Sequence, residues 1–473
     1  MTQYDLLIIG GGPAGLSAAA RARSTGISAA IIERDRPGGS SLWRTDVPLA
    51  ALRSIACHRG RCAEQGMPYP ESVGQTDTLG AVRKRLRSIQ SQLVLPRSPE
   101  TLRSLGTEVI RGEATFSGPH TVLVDEKTTY EARTVLIATG SRPHVPSING
   151  LHKVPYWTPD TFWECKRLPE SLTIVGGGPR ACEMAQTLAM LEVGVTLLTR
   201  GPRLLTRADT DASSFLSERF AKHGITVVTG AGITDAAPSR KLVSLETTQG
   251  TFSAEGLLIA TGRTPNISSL RLDEAGVRRS PRGIAVDRWL RTSAPAVYAA
   301  GSCTGSPTGA SLAAFQGAAA CDTMTGRAQS EGTPPVLPWA VFTTPEVAGV
   351  GLSEEEAVRR YGNSVRTYIR SQHETDRAII EGRTDGFLKI VYREPDTLLG
   401  VTIMAERASE TIHQWAYALA EKSRLGTLAS FPHVYPTYSS ASMQAAMDIA
   451  GRPGKNPAWK AMGTTLRRWV RRA

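Results

Sequence analysis

An α/β protein with two parallel-sheet units is what this 473-residue chain predicts, on three observations. A strand–turn–helix–strand pattern opens the chain at YDLLIIGGGPAGLSAAARARSTGISAAIIERD, residues 4–35. The pattern recurs at SLTIVGGGPRACEMAQTLAMLEVGVTLLTRGPRLLTR, residues 171–207. The length also exceeds what one core accommodates and implies two to four domains.

In the first unit Gly10, Gly12 and Gly15 fit G-x-G-x-x-G. The first glycine allows a tight turn, the second lets the backbone approach a pyrophosphate, and the third lets helix and strand pack closely. The helix start adds unpaired N–H groups and the positive end of a dipole. Glu33 ends the next strand, 18 residues beyond Gly15, where a carboxylate accepts hydrogen bonds from an adenosine ribose. A Gly-rich turn without a ligand is the alternative, but strand, helix and acid together predict a Rossmann-like dinucleotide site.

In the second unit Gly176 and Gly178 hold the first two positions and Ala181 the third. The second strand ends in Thr199-Arg200, with Arg203 and Arg207 following. A carboxylate there favours the free 2′-hydroxyl of NADH; a guanidinium favours the 2′-phosphate of NADPH. NADPH is therefore expected, with NADH possible. Two such sites in one chain imply electrons passing from a nicotinamide to a second nucleotide, most simply FAD.

Composition narrows the classes. No run of 18 apolar residues occurs, so membrane-spanning helices are not expected. The N-terminus reads directly into a strand, so export is not expected. Six scattered cysteines (57, 62, 165, 182, 303, 321) suit a reducing cytoplasm better than a disulfide framework. Of the net charge of +12, seven charges follow Asp448, so a basic tail and not a nucleic-acid binder is the reading. In that tail, residues 451–473, Trp459, Met462, Leu466, Trp469 and Val470 share one helical face opposite the bases. The tail is expected either to lie on an anionic membrane surface or to dock on its own dimer.

Further motifs follow: RTVLIATGSRP (133–143), GLLIATGRTPN (256–266), AVYAAGSCTG (296–305), TTPEVAGVGLSEEEA (343–357), GFLKIVYREPDTLLGVTIMAE (386–406) and FPHVYPTYSSA (431–441). In this order and spacing, over residues 4 to 450, the chain resembles the pyridine nucleotide-disulfide oxidoreductases. The resemblance implies an FAD domain of residues 1–150 and 268–330, an NAD(P)H domain of 151–267, and an α+β dimerisation domain of 331–450. It implies a homodimer in which the partner completes the active site. It also implies cofactor contacts at Gly39, Ser40, Ala114, Thr139, Gly140, Gly262, Ser302 and Ala310, and no metal site. Residues 76–104 carry Leu79, Val82, Leu86, Ile89 and Leu93 at helical spacing, and EGTPPVLP (331–338) reads as a linker.

The chain departs from the family where the chemistry lies. Aligned on Gly38-Gly39 and Pro48, Ser41 and Asp46 stand where the family has its redox-active cysteines, and neither can attack a disulfide. The family's lysine is Ala50, although its partner position keeps Glu183. Tyr435-Pro436-Thr437 replaces His-Pro-Thr, Ser440 replaces the glutamate, and His433 lies two positions early. The family's Gly-Asp is Gly301-Ser302, which loses about 1 kcal/mol of flavin contact. Cys57 and Cys62 have the spacing of a redox pair but begin 11 residues past Asp46. Asp46 is expected at the flavin edge as a proton relay or, alternatively, as a helix cap beside Pro48. Trp43 is expected to stack on a planar acceptor. Asp46, Trp43, Glu183 and Tyr435 are the candidate catalytic residues. The expected function is NADPH-to-FAD electron transfer to a small non-disulfide acceptor such as a quinone. A binding or regulatory flavoprotein, and a disulfide or metal-ion reductase using Cys57 and Cys62, are the alternatives.

Overall fold

The computed structural model describes residues 2–64, 78–305, 309–328 and 331–451. The basic tail beyond residue 451, and with it the expectation of a membrane or dimer contact there, lies outside the described residues. Contacts group the chain into two compact units. One holds the described residues of Met1–Gly176, Thr187–Leu198 and Gly232–Pro334, the other those of Gly177–Gln186, Thr199–Ala231 and Pro335–Ala473.

The run DLLII is apolar without alternation because both faces of its strand are covered. Strand Thr2–Ile9 sits inside a seven-stranded sheet, parallel to Ala29–Glu33 on one side and to Thr128–Ile137 on the other. Successive side chains then alternate between two cores. Leu6 and Ile8 join Ala14, Ala18 and Ala22 of helix Pro13–Thr25, whereas Leu7 and Ile9 join Phe116, Val122 and Val297 on the opposite face. Strand Val297–Ala299 returns from far along the chain to pair in parallel with Thr128–Ile137. Helix Ala310–Met324 then lies on helix Pro13–Thr25, and a side chain on Gly317 would run into the Ala14 carbonyl.

The second strand–turn–helix unit is built from parallel strands Gly256–Ile259, Ser171–Val175 and Gly194–Leu198. A three-stranded antiparallel sheet, Ile233–Ser239, Leu242–Thr247 and Gly250–Ala254, accompanies them. In the other unit a five-stranded antiparallel sheet runs in the order Trp339–Val341, Glu346–Gly351, Thr397–Ala405, Phe387–Arg393, Val365–Ser371. Helices Ala408–Ala420 and Ser440–Ala450 cover one face, burying Trp415, Ile412, Ala445 and Ile449 against Val350, Ile390 and Ile403. This is the α+β architecture expected for the C-terminal region.

The five apolar positions read at helical spacing within 76–104 all fall in one helix, Thr78–Val94. Helix Thr78–Val94 buries Leu79, Val82 and Leu86, but Leu93 is exposed. Pro96 ends the run, and a separate helix Pro99–Ser104 starts behind Ser98, whose hydroxyl accepts the Thr101 amide at 3.1 Å. One cut between the two units falls inside the Pro-rich segment, at Pro334 and Pro335. Among the described residues no helix is long and apolar enough to cross a membrane.

Candidate nucleotide sites and their surroundings

Steric necessity explains the glycines of the first turn. Gly10 has φ +109°, and a side chain there would press on the Ala138 carbonyl. One on Gly15 would collide with the Gly10 carbonyl, so helix and turn could not close. Gly12 caps helix Pro13–Thr25 without any side-chain hydrogen bond, leaving first-turn N–H groups for an anion. Gly39 approaches so closely that a side chain on it would stand 2.8 Å from Gly12 Cα. The Glu33 carboxylate is oriented at this turn, accepting the amides of Gly11 at 2.7 Å and Asp35 at 2.8 Å.

Residues 38–46 leave the turn as one knotted segment. Gly38 N–H donates to the Gly11 carbonyl at 2.7 Å. Helix Gly39–Trp43 follows, and the Ser40 carbonyl accepts both Arg44 and Thr45 amides at 2.8 Å. Ser41 is half-buried, and Asp46, also half-buried, lies in the first turn of helix Asp46–Glu64. Trp43 donates its indole N–H to the Pro37 carbonyl at 2.8 Å, and the Arg36 guanidinium lies 4.1 Å from its ring centroid. One indole face is thus already covered by a cation. Arg44 pairs with Asp35 at 2.9 Å.

Other expected cofactor residues gather in the same unit. Thr139 and Gly140 follow strand Thr128–Ile137, where Asn266 donates its side-chain amide to Thr139 O and its backbone N–H to Gly140 O. The Thr139 hydroxyl oxygen is buried with no partner among the described residues, a group that a ligand would satisfy. Gly140 and Gly262 both have positive φ with open space where a side chain would stand. Gly301 has φ +79° and donates its N–H to the buried Gln316 side chain at 2.8 Å, which fixes the turn carrying Ser302. Helix Ala310–Met324 begins at Ala310 behind Gly309, again with no side-chain cap. Ala114 starts strand Ala114–Gly118 with its side chain in the core, so only its main chain can meet a ligand. These residues fit a dinucleotide bound along the first turn.

At the second turn Gly176 has φ +140°, and a side chain on Gly177 would strike the Thr199 hydroxyl. Gly178, ahead of helix Pro179–Ala189, faces open space, as a phosphate-cradling position requires. Ala181 is fully buried. Of the three arginines, Arg200 and Arg207 are exposed, whereas Arg203 donates to the Ala208 and Thr206 carbonyls and to the Thr210 hydroxyl. Arg203 is therefore a loop brace and not a free guanidinium.

Glu183 is buried, and both carboxylate oxygens are engaged: Arg180 pairs with one at 3.0 Å and the Phe342 amide donates to the other at 3.0 Å. Arg180 lies one helical turn away, and the i, i+3 spacing made that pair readable in advance. Tyr435 is exposed, and its phenol is held above the ordinary range by hydrogen bonding to Asp376. His433 meets the Gln414 side chain at 2.9 Å, and Ser440 donates to the Thr437 carbonyl at 2.6 Å.

Three buried thiols are poor nucleophiles. Burial pushes Cys303 and Cys321 up to about 11, and Cys182 is raised further by the same cause. Cys57 is half-buried on helix Asp46–Glu64; the side chain of Cys62 lies outside the described residues. Among the described residues no group of His, Cys, Asp and Glu is placed to hold a metal. The missed contributors are Gln316, Asn266 and Arg36, whose roles arise from contacts the local sequence does not signal.

Comparison with known proteins agrees with this geometry. The sequence pattern described as pyridine nucleotide-disulphide oxidoreductase matches residues 4–317, and that of its dimerisation domain matches residues 337–446. A mercuric reductase of Streptomyces lividans is 34% identical over 465 residues, covering 96% of this chain and 98% of its own. A dihydrolipoyl dehydrogenase of Thermus scotoductus is 33% identical over 470 residues, with 94% and 97% covered. The solved structure of LpdA from Mycobacterium tuberculosis superposes with a TM-score of 0.85 at 28% identity, covering 95% of this chain and all of that one.

Proposed function

Because this chain belongs to the pyridine nucleotide-disulphide oxidoreductase family, we propose that it moves electrons from NADPH through FAD to a small conjugated acceptor, quinone-like in chemistry, without a cysteine relay. The coarser part is the family's own: a flavin- and NAD(P)H-dependent oxidoreductase with a dimerisation domain, for which we infer a homodimer. When bound, FAD supplies the chemistry of accepting a hydride and releasing electrons. The chain's residues bind and orient. The turns at Gly10–Gly15 and Gly176–Ala181 seat pyrophosphates, Glu33 holds a ribose, and Arg200 selects the 2′-phosphate. Asp46 holds or moves a proton for the acceptor, and a planar acceptor stacks on Trp43.

The single observation behind this reading is that no cysteine precedes Cys57, while Ser41 and Asp46 occupy the segment that leaves the first turn. The relatives named for mercuric ion or dihydrolipoyl groups favour a second reading, reduction through Cys57 and Cys62. Cys57 lies 11 residues along the helix from Asp46, about 16 Å away at about 1.5 Å per residue. That placement supports the acceptor reading.

Anaerobic titration with NADPH tests it. The flavin should bleach completely at two electrons per FAD, with no long-wavelength thiolate–flavin band, and quinones should reoxidise it. Uptake of four electrons with two new titratable thiols would establish the cysteine reading instead. Asp46→Asn should slow reoxidation by a proton-requiring quinone by about 10²-fold, the usual scale for a general acid, while reduction by NADPH is little changed. Equal slowing of both half-reactions would leave Asp46 a structural role only.

A further inference from the structure

The loop after the second turn, residues 200–209, is braced from within. Arg203 donates to the Thr206 carbonyl at 3.2 Å, the Ala208 carbonyl at 3.3 Å and the Thr210 hydroxyl at 2.9 Å. Its charge is balanced by Glu355, on helix Glu354–Tyr361, at 3.4 Å. Thr210 also donates to the Glu355 carboxylate. Midway along the loop, Leu205, buried and at φ +46°, donates its N–H to the Gly177 carbonyl of the turn at 2.8 Å. The Ser213 hydroxyl holds the Leu204 carbonyl at 2.6 Å. At its foot Asp209 caps helix Thr210–Lys222 and accepts the Glu354 amide at 3.3 Å and the Lys389 ammonium at 2.9 Å.

Neither exposed arginine of this loop is braced in that way. Arg200 and Arg207 carry no ion pair among the described residues; Arg207 sits between the Thr206 and Ala208 carbonyls that Arg203 holds, and Arg200 precedes Gly201, which packs on Thr206 of the same loop. A cation on a fixed backbone loses less freedom on capturing a phosphate than one on a wandering loop. We propose that Arg203 is a positioning residue for nucleotide selectivity: with Glu355 as its anchor, it shapes the loop that presents Arg200 and Arg207 to the 2′-phosphate. Residues of the C-terminal region thereby share in the choice between NADPH and NADH. This rests on the reading of Arg200 as the phosphate-selecting residue.

Equilibrium binding of NADP⁺ and of NAD⁺ to the FAD-loaded enzyme, measured by calorimetry, tests it. Arg203→Met should weaken NADP⁺ by about ten-fold, the lower end for a hydrogen bond to a charged group, and leave NAD⁺ within about two-fold. Glu355→Gln, at a half-exposed site that folding tolerates, should shift NADP⁺ in the same direction by about three-fold. In an Arg200→Glu background, Arg203→Met should add little, because the two act through one contact. Equal weakening of both nucleotides, or no change in either variant, overturns the positioning role while the NADPH reading stands. Equal affinity of the wild type for NADP⁺ and NAD⁺ overturns both.

Discussion

Replacing Lys389 with methionine should destabilise the fold by about 3–5 kcal/mol, the range for breaking a buried ion pair from one side. Lys389 lies on strand Phe387–Arg393 with its side chain 2% exposed, and its ammonium contacts Asp209 at 2.9 Å, Asp211 at 2.7 Å and Glu354 at 2.6 Å. Asp211 and Glu354 remain partly in water, but the Asp209 side chain is 1% exposed and would be left as a buried charge lacking its cation. For a cooperative unit of 150–250 residues the loss corresponds to a fall of roughly 6–20 °C in the unfolding midpoint. Asp209→Asn added to the variant should recover part of it. A midpoint within about a degree of wild type would contradict the argument.

The pH dependence has a definite sign. Burial alone would lower the pKa of the Lys389 ammonium, yet its hydrogen bonds to Asp209, Asp211 and Glu354 outweigh that and hold it above the ordinary lysine value. A group bound more tightly to its proton in the folded state stabilises fully below its unfolded pKa of about 10.4, and that contribution disappears as pH rises through the higher folded value. The difference between wild type and variant should therefore be constant from neutral pH to about 10 and shrink only beyond.

Arg200→Glu should reverse the nucleotide preference. Wild type is expected to be reduced faster by NADPH. The variant replaces attraction for a 2′-phosphate by repulsion, and the carboxylate accepts the free 2′-hydroxyl of NADH instead. The ratio of kcat/KM values should move by about 10²-fold, equivalent to about 2.7 kcal/mol at 1.36 kcal/mol per factor of ten. Because Arg200 is exposed, the effect should diminish at high salt. Stopped-flow reduction with each nucleotide checks this, and a ratio unchanged from wild type would remove Arg200 from the site.

What was legible in advance shares one property: its cause is local. Gly10 and Gly15 were readable because the collision each avoids is set within a single turn, and DLLII because two-sided burial removes alternation. The helical spacing of Leu79, Val82, Leu86, Ile89 and Leu93 was local in the same sense, and helix Thr78–Val94 carries all five. Arg203 looked like Arg200 in sequence; its inward turn depends on Glu355, 152 positions away. Gln316 at the Gly301 amide and Arg36 over Trp43 are likewise products of assembly.

The contact of Gly317 with Ala14 has a consequence for synthesis. The alanine face of helix Pro13–Thr25 gains its permanent cover only when the far helix arrives, some 290 residues later. At about 5–20 residues per second, the ribosome leaves that face without its native neighbour for roughly 15–60 s. The nascent chain must carry an incomplete sheet through this interval, since strand Val297–Ala299 is also still unmade. The small residues that let the two helices touch also make the waiting surface weakly adhesive, because alanine exposes little apolar area. Close packing in the finished protein and restraint during its manufacture thus come from the same choice of side chains.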